Sequence, residues 1–221
     1  MASHKIDHAN IYIKLKRLLD FILSFLLLII LSPLFVVVSI AIKFDSTGPV
    51  IYKQTRTGKN GEDFELYKFR SMVADNDVYD FNTRDKVTNV GKFIRKTSID
   101  ELPQLVNVFM GDMSFIGPRP WVTLCYRYFT DYEKKRNLVR PGITGYAQVS
   151  GRKNLNILDR IDYDIYYVDN ISLLLDIKIF FKTILIVLRK SDIYNKSYGL
   201  EEELLDLRLN YENKVKDKVK E

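Results

Sequence analysis

Two adjacent carboxylates, Asp100 and Glu101, sit in the run Thr97-Ser98-Ile99-Asp100-Glu101-Leu102-Pro103. Such a pair has two uses. One is structural: Ser98 followed three residues later by Glu101 matches a capping box, and acids in a first helical turn complement the helix dipole. The other is chemical: a helix N-terminus draws in phosphate, so a carboxylate there stands beside any bound phosphoryl group as a nucleophile or a cation ligand. Pro103 lies too far inside a helix capped at Ser98 and suits one that begins near Asp100. Spacing alone leaves both uses open.

A second candidate is Gly117-Pro118-Arg119-Pro120-Trp121, where two prolines flank one arginine. Each proline fixes its own φ and pushes the preceding residue out of the helical region, so Arg119 is expected to be extended. A guanidinium held that way can grip phosphate through two prongs; the plain alternative is a rigid surface loop with an incidental arginine. Other cations recur in short polar contexts: Lys68 and Arg70 in Tyr67-Lys68-Phe69-Arg70-Ser71-Met72, Arg95 and Lys96 ahead of the acidic pair, and Arg152 in Ser150-Gly151-Arg152. Together they would neutralise a diphosphate. Singly, each is an ordinary solvated charge, and none has the glycine spacing of a P-loop or a dinucleotide fold.

Composition narrows what else could act. The chain has 221 residues, enough for one compact domain, with one cysteine and two histidines. Cys125 has no intrachain partner and cannot form a zinc cluster alone, and His4 and His8 lie at the start of the chain. Carboxylates, arginines and lysines must therefore carry the chemistry. A formal charge of +6 implies an anionic partner, whether nucleic acid, lipid or phosphorylated substrate. No nucleic-acid-binding motif is present, so nucleic acid is not expected as a partner.

The elements that must position these residues begin with an apolar run over residues 18–43, in which Asp20 is the only acid. Its length suits a bilayer and exceeds the apolar core of a signal peptide, although Ser39-Ile40-Ala41 mimics a cleavage site. Ser32-Pro33 falls in the middle. Proline removes a backbone donor there, the Ser32 hydroxyl can satisfy the freed carbonyl, and a bend is expected. Lys14, Lys16 and Arg17 precede the run and Lys43, Lys53 and Arg56 follow it, so the positive-inside tendency places both ends in the cytoplasm. A hairpin-like re-entry meets that condition and a single span does not, unless the later cations belong to a domain that ignores the rule.

Asp45-Ser46-Thr47-Gly48-Pro49 marks the exit from this segment. Residues 50–55 and 64–72 read as strands joined through Asn60-Gly61 in a type I′ turn. Residues 76–90 read as a loop or a fraying helix, and residues 102–110 and 122–138 as helices. Residues 173–190 have an apolar body with Lys178, Lys182, Arg189 and Lys190, which suits the headgroup region or a core helix with a basic face. The division expected is a basic flank (1–17), a membrane segment (18–43), a catalytic domain (44–190) and a charged tail (191–221).

Taken in order, these motifs resemble the bacterial sugar transferase family, the monotopic phosphoglycosyl transferases. The resemblance runs through Lys16-Arg17-Leu18-Leu19-Asp20, Ser32-Pro33, Gly48-Pro49-Val50, the segment around Lys68 and Arg70, Arg95 to Leu105, Gly111 to Pro120, and Arg140-Pro141-Gly142-Ile143-Thr144-Gly145. It implies an α+β fold, mostly short helices with a small β-hairpin, an N-terminal re-entrant membrane helix broken at Ser32 and Pro33, and amphipathic interfacial helices. It implies Asp100 as nucleophile, Glu101 as a ligand of Mg2+, and Arg119 and Arg152 near the phosphates of a UDP-sugar; Lys68, Arg70 and Arg95, the cations able to neutralise a diphosphate, are expected as further substrate contacts. The partners implied are the UDP-sugar, polyprenyl (undecaprenyl) phosphate and the lipid bilayer, at the cytoplasmic face of the bacterial inner membrane. The reaction would open assembly of a capsule, O-antigen or glycoprotein glycan through a covalent aspartyl phospho-sugar, releasing UMP. A catalytically silent scaffold of a glycan assembly complex would keep the same fold. Residues 76–90 and the tail match no family pattern, which leaves the sugar and any homo-oligomer undetermined.

Overall fold

The computed structural model describes residues 2–73, 86–150, 155–188 and 200–220. Two helices, α1 (Ala2–Ile30) and α2 (Ser32–Asp45), open the chain. They meet at a bend of 60°. The cause is local. Pro33 has no N–H to give the Ile29 carbonyl four residues earlier, and the Ser32 hydroxyl donates to that carbonyl instead, at 2.8 Å. Among the described residues no single helix is long and apolar enough to cross a bilayer; by length and composition only the bent pair qualifies.

The hairpin follows, with β1 (Ile51–Thr57) antiparallel to β2 (Asp63–Phe69) from Ile51 opposite Phe69 to Thr57 opposite Asp63. Asn60 and Gly61 both take positive φ, 57° and 82°, as a type I′ turn requires. Gly61 is needed for space as well, since a Cβ there would lie 2.3 Å from the Tyr126 hydroxyl.

Residues 76–85 of the expected loop lie outside the described residues. At its end the helical alternative holds: Thr88 caps α3 (Asn89–Lys96) by accepting from Gly91 N, so Asn89 and Val90 are helical. A 3-10 turn, Ile99–Glu101, leads through Pro103 into α4 (Gln104–Met110). Next come β3 (Ser114–Ile116) and β4 (Trp121–Val122), the latter pairing with β1 to give the sheet order β2-β1-β4.

The helix expected over residues 122–138 is three pieces: α5 (Thr123–Tyr126), α6 (Asp131–Lys134) and a 3-10 turn at Lys135–Leu138. Two local features break it. Thr130 and Glu133 form a reciprocal capping box that starts α6 afresh, and Phe129 turns into a core with Cys125, Ile157, Ile161 and Leu207. Then β5 (Gly142–Thr144) pairs in parallel with β3, followed by α7 (Tyr146–Ser150), α8 (Ile157–Asp169), α9 (Leu173–Leu188) and α10 (Leu200–Lys220).

Helix α9 carries much exposed apolar surface, with Leu174, Phe181, Leu185 and Leu188 all more than half open. The α1–α2 pair is similar, with Leu18, Ile29, Ile30, Val36, Val37 and Ile40 exposed. Apolar area of this extent marks an interaction surface. On its other side α2 packs through Val38 and Ile42 against Phe69 and Ile94, which joins the bent pair to the hairpin and α3. Helix α1 joins α4: Arg17 donates to the Val108 and Phe109 carbonyls at 2.6 and 2.8 Å, and Phe21 stacks on Phe109.

Candidate active site

Three elements converge on the acidic pair. Strand β2 supplies Lys68, the 3-10 turn supplies Asp100 and Glu101, and the β3–β4 loop supplies Arg119. Lys68 Nζ donates to Glu101 Oε1 at 2.7 Å, and Arg119 Nη2 donates to the same oxygen at 3.2 Å. Glu101 therefore does no capping. Ser98 stands in the left-handed region at φ 57° with no side-chain cap bond, and the helix proper starts three residues beyond the acids with Pro103 at its N-cap. The capping-box reading fails because the Glu101 side chain is turned toward two cations, whereas the helical start expected near Asp100 is met by the 3-10 turn Ile99–Glu101, which runs on through Pro103 into α4. Ser98 is one of two non-glycine residues with positive φ among those described. It reverses the chain between α3 and the 3-10 turn, which sets the two carboxylates against β2.

The electrostatics separate the two acids. Burial pushes Asp100 above its ordinary value, reinforced by Glu101 and opposed by Lys68 and Arg95. Burial also acts on Glu101, but Arg119 and Lys68 outweigh it and hold that carboxyl down at about 2. Lys68 is lowered by its own burial and by the Arg119 charge, despite the pull of Glu101. Glu101 is thus a fixed anion between two cations, and Asp100 is a less paired, more basic carboxylate beside it.

The remaining expected residues divide. Arg95 Nε donates to Ser71 Oγ at 2.7 Å and belongs to the charge field of Asp100. Arg70 reaches the other way, donating to the Ser46 carbonyl and hydroxyl at 2.7 and 2.9 Å, so it ties the end of α2 to the hairpin; its Nε and Nη1 are buried without hydrogen-bond partners. Arg152 lies outside the described residues. Ser32 and Pro33 form the bend. Sequence reasoning missed Arg56, which is partly buried beside Arg119 and whose pKa falls to about 10 through desolvation and that neighbouring charge. Alternation along β1 was a usable signal, because Arg56 occupies a strand position two residues from Gln54, to which it donates.

The model of the bacterial sugar transferase family matches residues 11–190. The chain belongs to the bacterial sugar transferase family. It is 45% identical over 181 residues to a UDP-glucose:undecaprenyl-phosphate glucose-1-phosphate transferase of Klebsiella pneumoniae, covering 76% of this chain and 39% of that protein. It is 40% identical over 209 residues to a UDP-N-acetylgalactosamine-undecaprenyl-phosphate N-acetylgalactosaminephosphotransferase of Aeromonas hydrophila, covering 83% and 48%. An uncharacterized sugar transferase of Bacillus subtilis is 39% identical over 186 residues, covering 83% of this chain and 92% of that protein. The chain thus spans well under half the length of several relatives it matches. The match to the sugar transferase family takes in the whole acidic cluster and its surrounding cations and leaves out α10.

Proposed function

We propose that the protein transfers a sugar-1-phosphate from a UDP-sugar to polyprenyl phosphate, releasing UMP, at the cytoplasmic face of the bacterial inner membrane. The observation that carries this reading is Glu101 shared by Lys68 and Arg119 beside a less paired Asp100, in a chain of the sugar transferase family. The substrates named for several relatives support it.

The chemistry runs in two steps. An Asp100 carboxylate oxygen attacks the phosphorus that carries the sugar, and the bond from that phosphorus to the oxygen shared with UMP breaks, UMP leaving with the electron pair. A polyprenyl phosphate oxygen then attacks the same phosphorus and Asp100 departs as carboxylate. Dividing the transfer this way brings one bulky anion into the site at a time. Lys68 faces the charge that develops on the phosphoryl oxygens, its fixed placement sparing reorganisation during reaction, and Arg119 grips the substrate phosphate from binding onward. Among the described residues no group of three or more His, Cys, Asp or Glu is placed to hold a metal unaided. The donor set still fits Mg2+ bound together with substrate: Glu101 stays ionised, and both of its cation contacts fall on Oε1, which suits an ion taking one or two carboxylates plus phosphate and water. Glu101 would hold that Mg2+, which would offset charge on the diphosphate.

The bent α1–α2 pair and the apolar face of α9 would seat the protein as a re-entrant, monotopic unit with both ends of the pair in the cytoplasm. The test is direct. Purified protein is incubated with Mg2+ and a panel of UDP-sugars, first without and then with polyprenyl phosphate, and UMP is measured. About one UMP per protein without acceptor and continuous release with it are expected; no UMP from any sugar sinks the proposal.

A further inference from the structure

Arg119 sits in a loop with no ladder to hold it, and its side chain, 49% exposed, meets Glu101 in a single contact. Partly exposed ion pairs hold geometry weakly. The loop is fixed through its carbonyls instead. Pro118 accepts from Gly142 N at 2.9 Å, Arg119 from Arg136 Nη2 at 2.6 Å, and Pro120 from Arg56 Nη1 at 3.5 Å. The Arg136 contact is short and comes from a buried, charged guanidinium. Its guanidinium also lies 4.7 Å from the ring centre of Trp121, the residue after Pro120, so one side chain grips the loop on both sides of Pro120.

Arg136 is itself held. Its Nε and Nη2 both reach Asp164 Oδ2, at 3.1 and 2.6 Å, and each side chain is 2% exposed. As a device for stability this pair is poor. Two charges leave water, Asp164 Oδ1 is buried without a partner, and apolar residues of the same volume would hold α8 to the 3-10 turn as well or better. What apolar residues could not supply is a charged donor directed at the Arg119 carbonyl.

We infer that Arg136, aimed by Asp164, is a positioning residue that holds the Arg119 backbone where its guanidinium meets substrate phosphate. The inference rests on the reading of Arg119 as a phosphate ligand. No contact of Arg136 with substrate is involved.

The test uses the full chain in lipid nanodiscs and whichever UDP-sugar the panel identifies, with wild type, Arg119→Ala, Arg136→Lys and the double variant. Arg119→Ala should raise KM for the UDP-sugar roughly tenfold, as expected for losing one hydrogen bond to a charged group. Arg136→Lys keeps the charge but cannot serve Asp164 and the carbonyl with one planar group; it should raise the same KM by a similar factor and leave kcat within about threefold. The double variant should be no worse than Arg119→Ala alone, because the two act through one contact. A purely structural role would lower the active fraction, so a fall in kcat at unchanged KM overturns the inference. Multiplying effects in the double variant overturn it too. Should Arg136→Lys fail to fold, Asp164→Asn, which keeps an acceptor for Arg136, takes its place with the same expectations. Failure of both to fold means the pair serves the fold and overturns the inference. If Arg119→Ala leaves KM unchanged, the phosphate-ligand reading falls and this inference falls with it, whereas absence of UMP release by wild type is a failure of the proposed reaction itself.

Discussion

Replacing Glu101 with Gln removes the anion that Lys68 and Arg119 share while keeping shape and one acceptor. Its energetic weight follows from the displaced pKa. A fall from 4.5 to about 2 corresponds to about 3 kcal/mol of preference for the charged form in the folded state. The net cost of Glu101→Gln is smaller. The Glu101 side chain keeps 23% of its surface open to solvent, glutamine still accepts a hydrogen bond, and Lys68, already lowered by burial, can shed its proton once its carboxylate is gone. We expect about 2 kcal/mol, a fall in melting midpoint of about 4–8 °C for a chain of this size. The pH dependence carries the sharper content. Because the folded pKa of Glu101 is depressed, its contribution is present above about 4.5 and is lost as pH falls toward about 2; wild type should keep it throughout neutral pH. In the variant Lys68 is the titrating group. Its depressed pKa penalises the protonated form, so the penalty shrinks as pH rises and lysine goes neutral. The gap between wild type and variant should therefore be wider at pH 6 than at pH 9, as read by thermal melting in detergent at matched protein concentration. A gap below about 1 kcal/mol at pH 7, or one that widens with pH, would refute the shared-anion geometry.

Three further outcomes are expected. Asp100→Asn should abolish UMP release and prevent label from a β-phosphate-labelled UDP-sugar from becoming attached to the protein, with the fold intact by circular dichroism; residual covalent label would remove Asp100 as the nucleophile. Single cysteines replacing Ser3 and Glu62 should both resist an impermeant thiol reagent applied to intact cells, and strong labelling at residue 3 alone would establish a true span. Gly61→Ala should cost at least about 2 kcal/mol, from its positive φ and from a Cβ placed 2.3 Å from the Tyr126 hydroxyl; a melting midpoint within a degree or two of wild type would contradict the turn.

Elements with local causes were legible in the sequence. The bend at Ser32-Pro33 depends on one missing donor and one adjacent hydroxyl, and the hairpin turn on two residues that tolerate positive φ. Contacts between distant segments were not legible. Ser98 and Glu101 have the spacing of a capping box, and nothing local says that Lys68 and Arg119 claim the carboxylate from 33 and 18 residues away. Residues 122–138 keep a helical composition, yet the burial of Phe129 and the capping box at Thr130 divide them. Arg136 stands in Glu133-Lys134-Lys135-Arg136, a charge run that reads as a solvated face, and only Asp164 on α8 reveals that its last member is internal. Helix α8 itself was not assigned, although Asn156 caps it by accepting from Asp159 N.

The contacts of α1 bear on how this site would meet the proposed lipid acceptor. Arg17 grips the last carbonyls of α4, the helix whose other end follows the acidic pair, and Lys16 pairs with Asp176 on α9 at 2.5 Å. Asp176 also accepts from Tyr12 and from the buried Tyr167 hydroxyl. Two helices with exposed apolar faces are thus fastened to each other and to the element that leads away from Asp100. On the proposed membrane placement, the height of Asp100 above the lipid is set by rigid helix-to-helix contacts rather than by a tether. That arrangement suits an acceptor whose phosphate cannot leave the bilayer surface, since the polyprenyl chain supplies no reach of its own. Positioning of this kind lowers the entropic cost of bringing two anchored reactants together. It also explains why Lys16 and Arg17 reach α9 and α4 as internal struts, where a flank used only for membrane orientation would leave both to solvent.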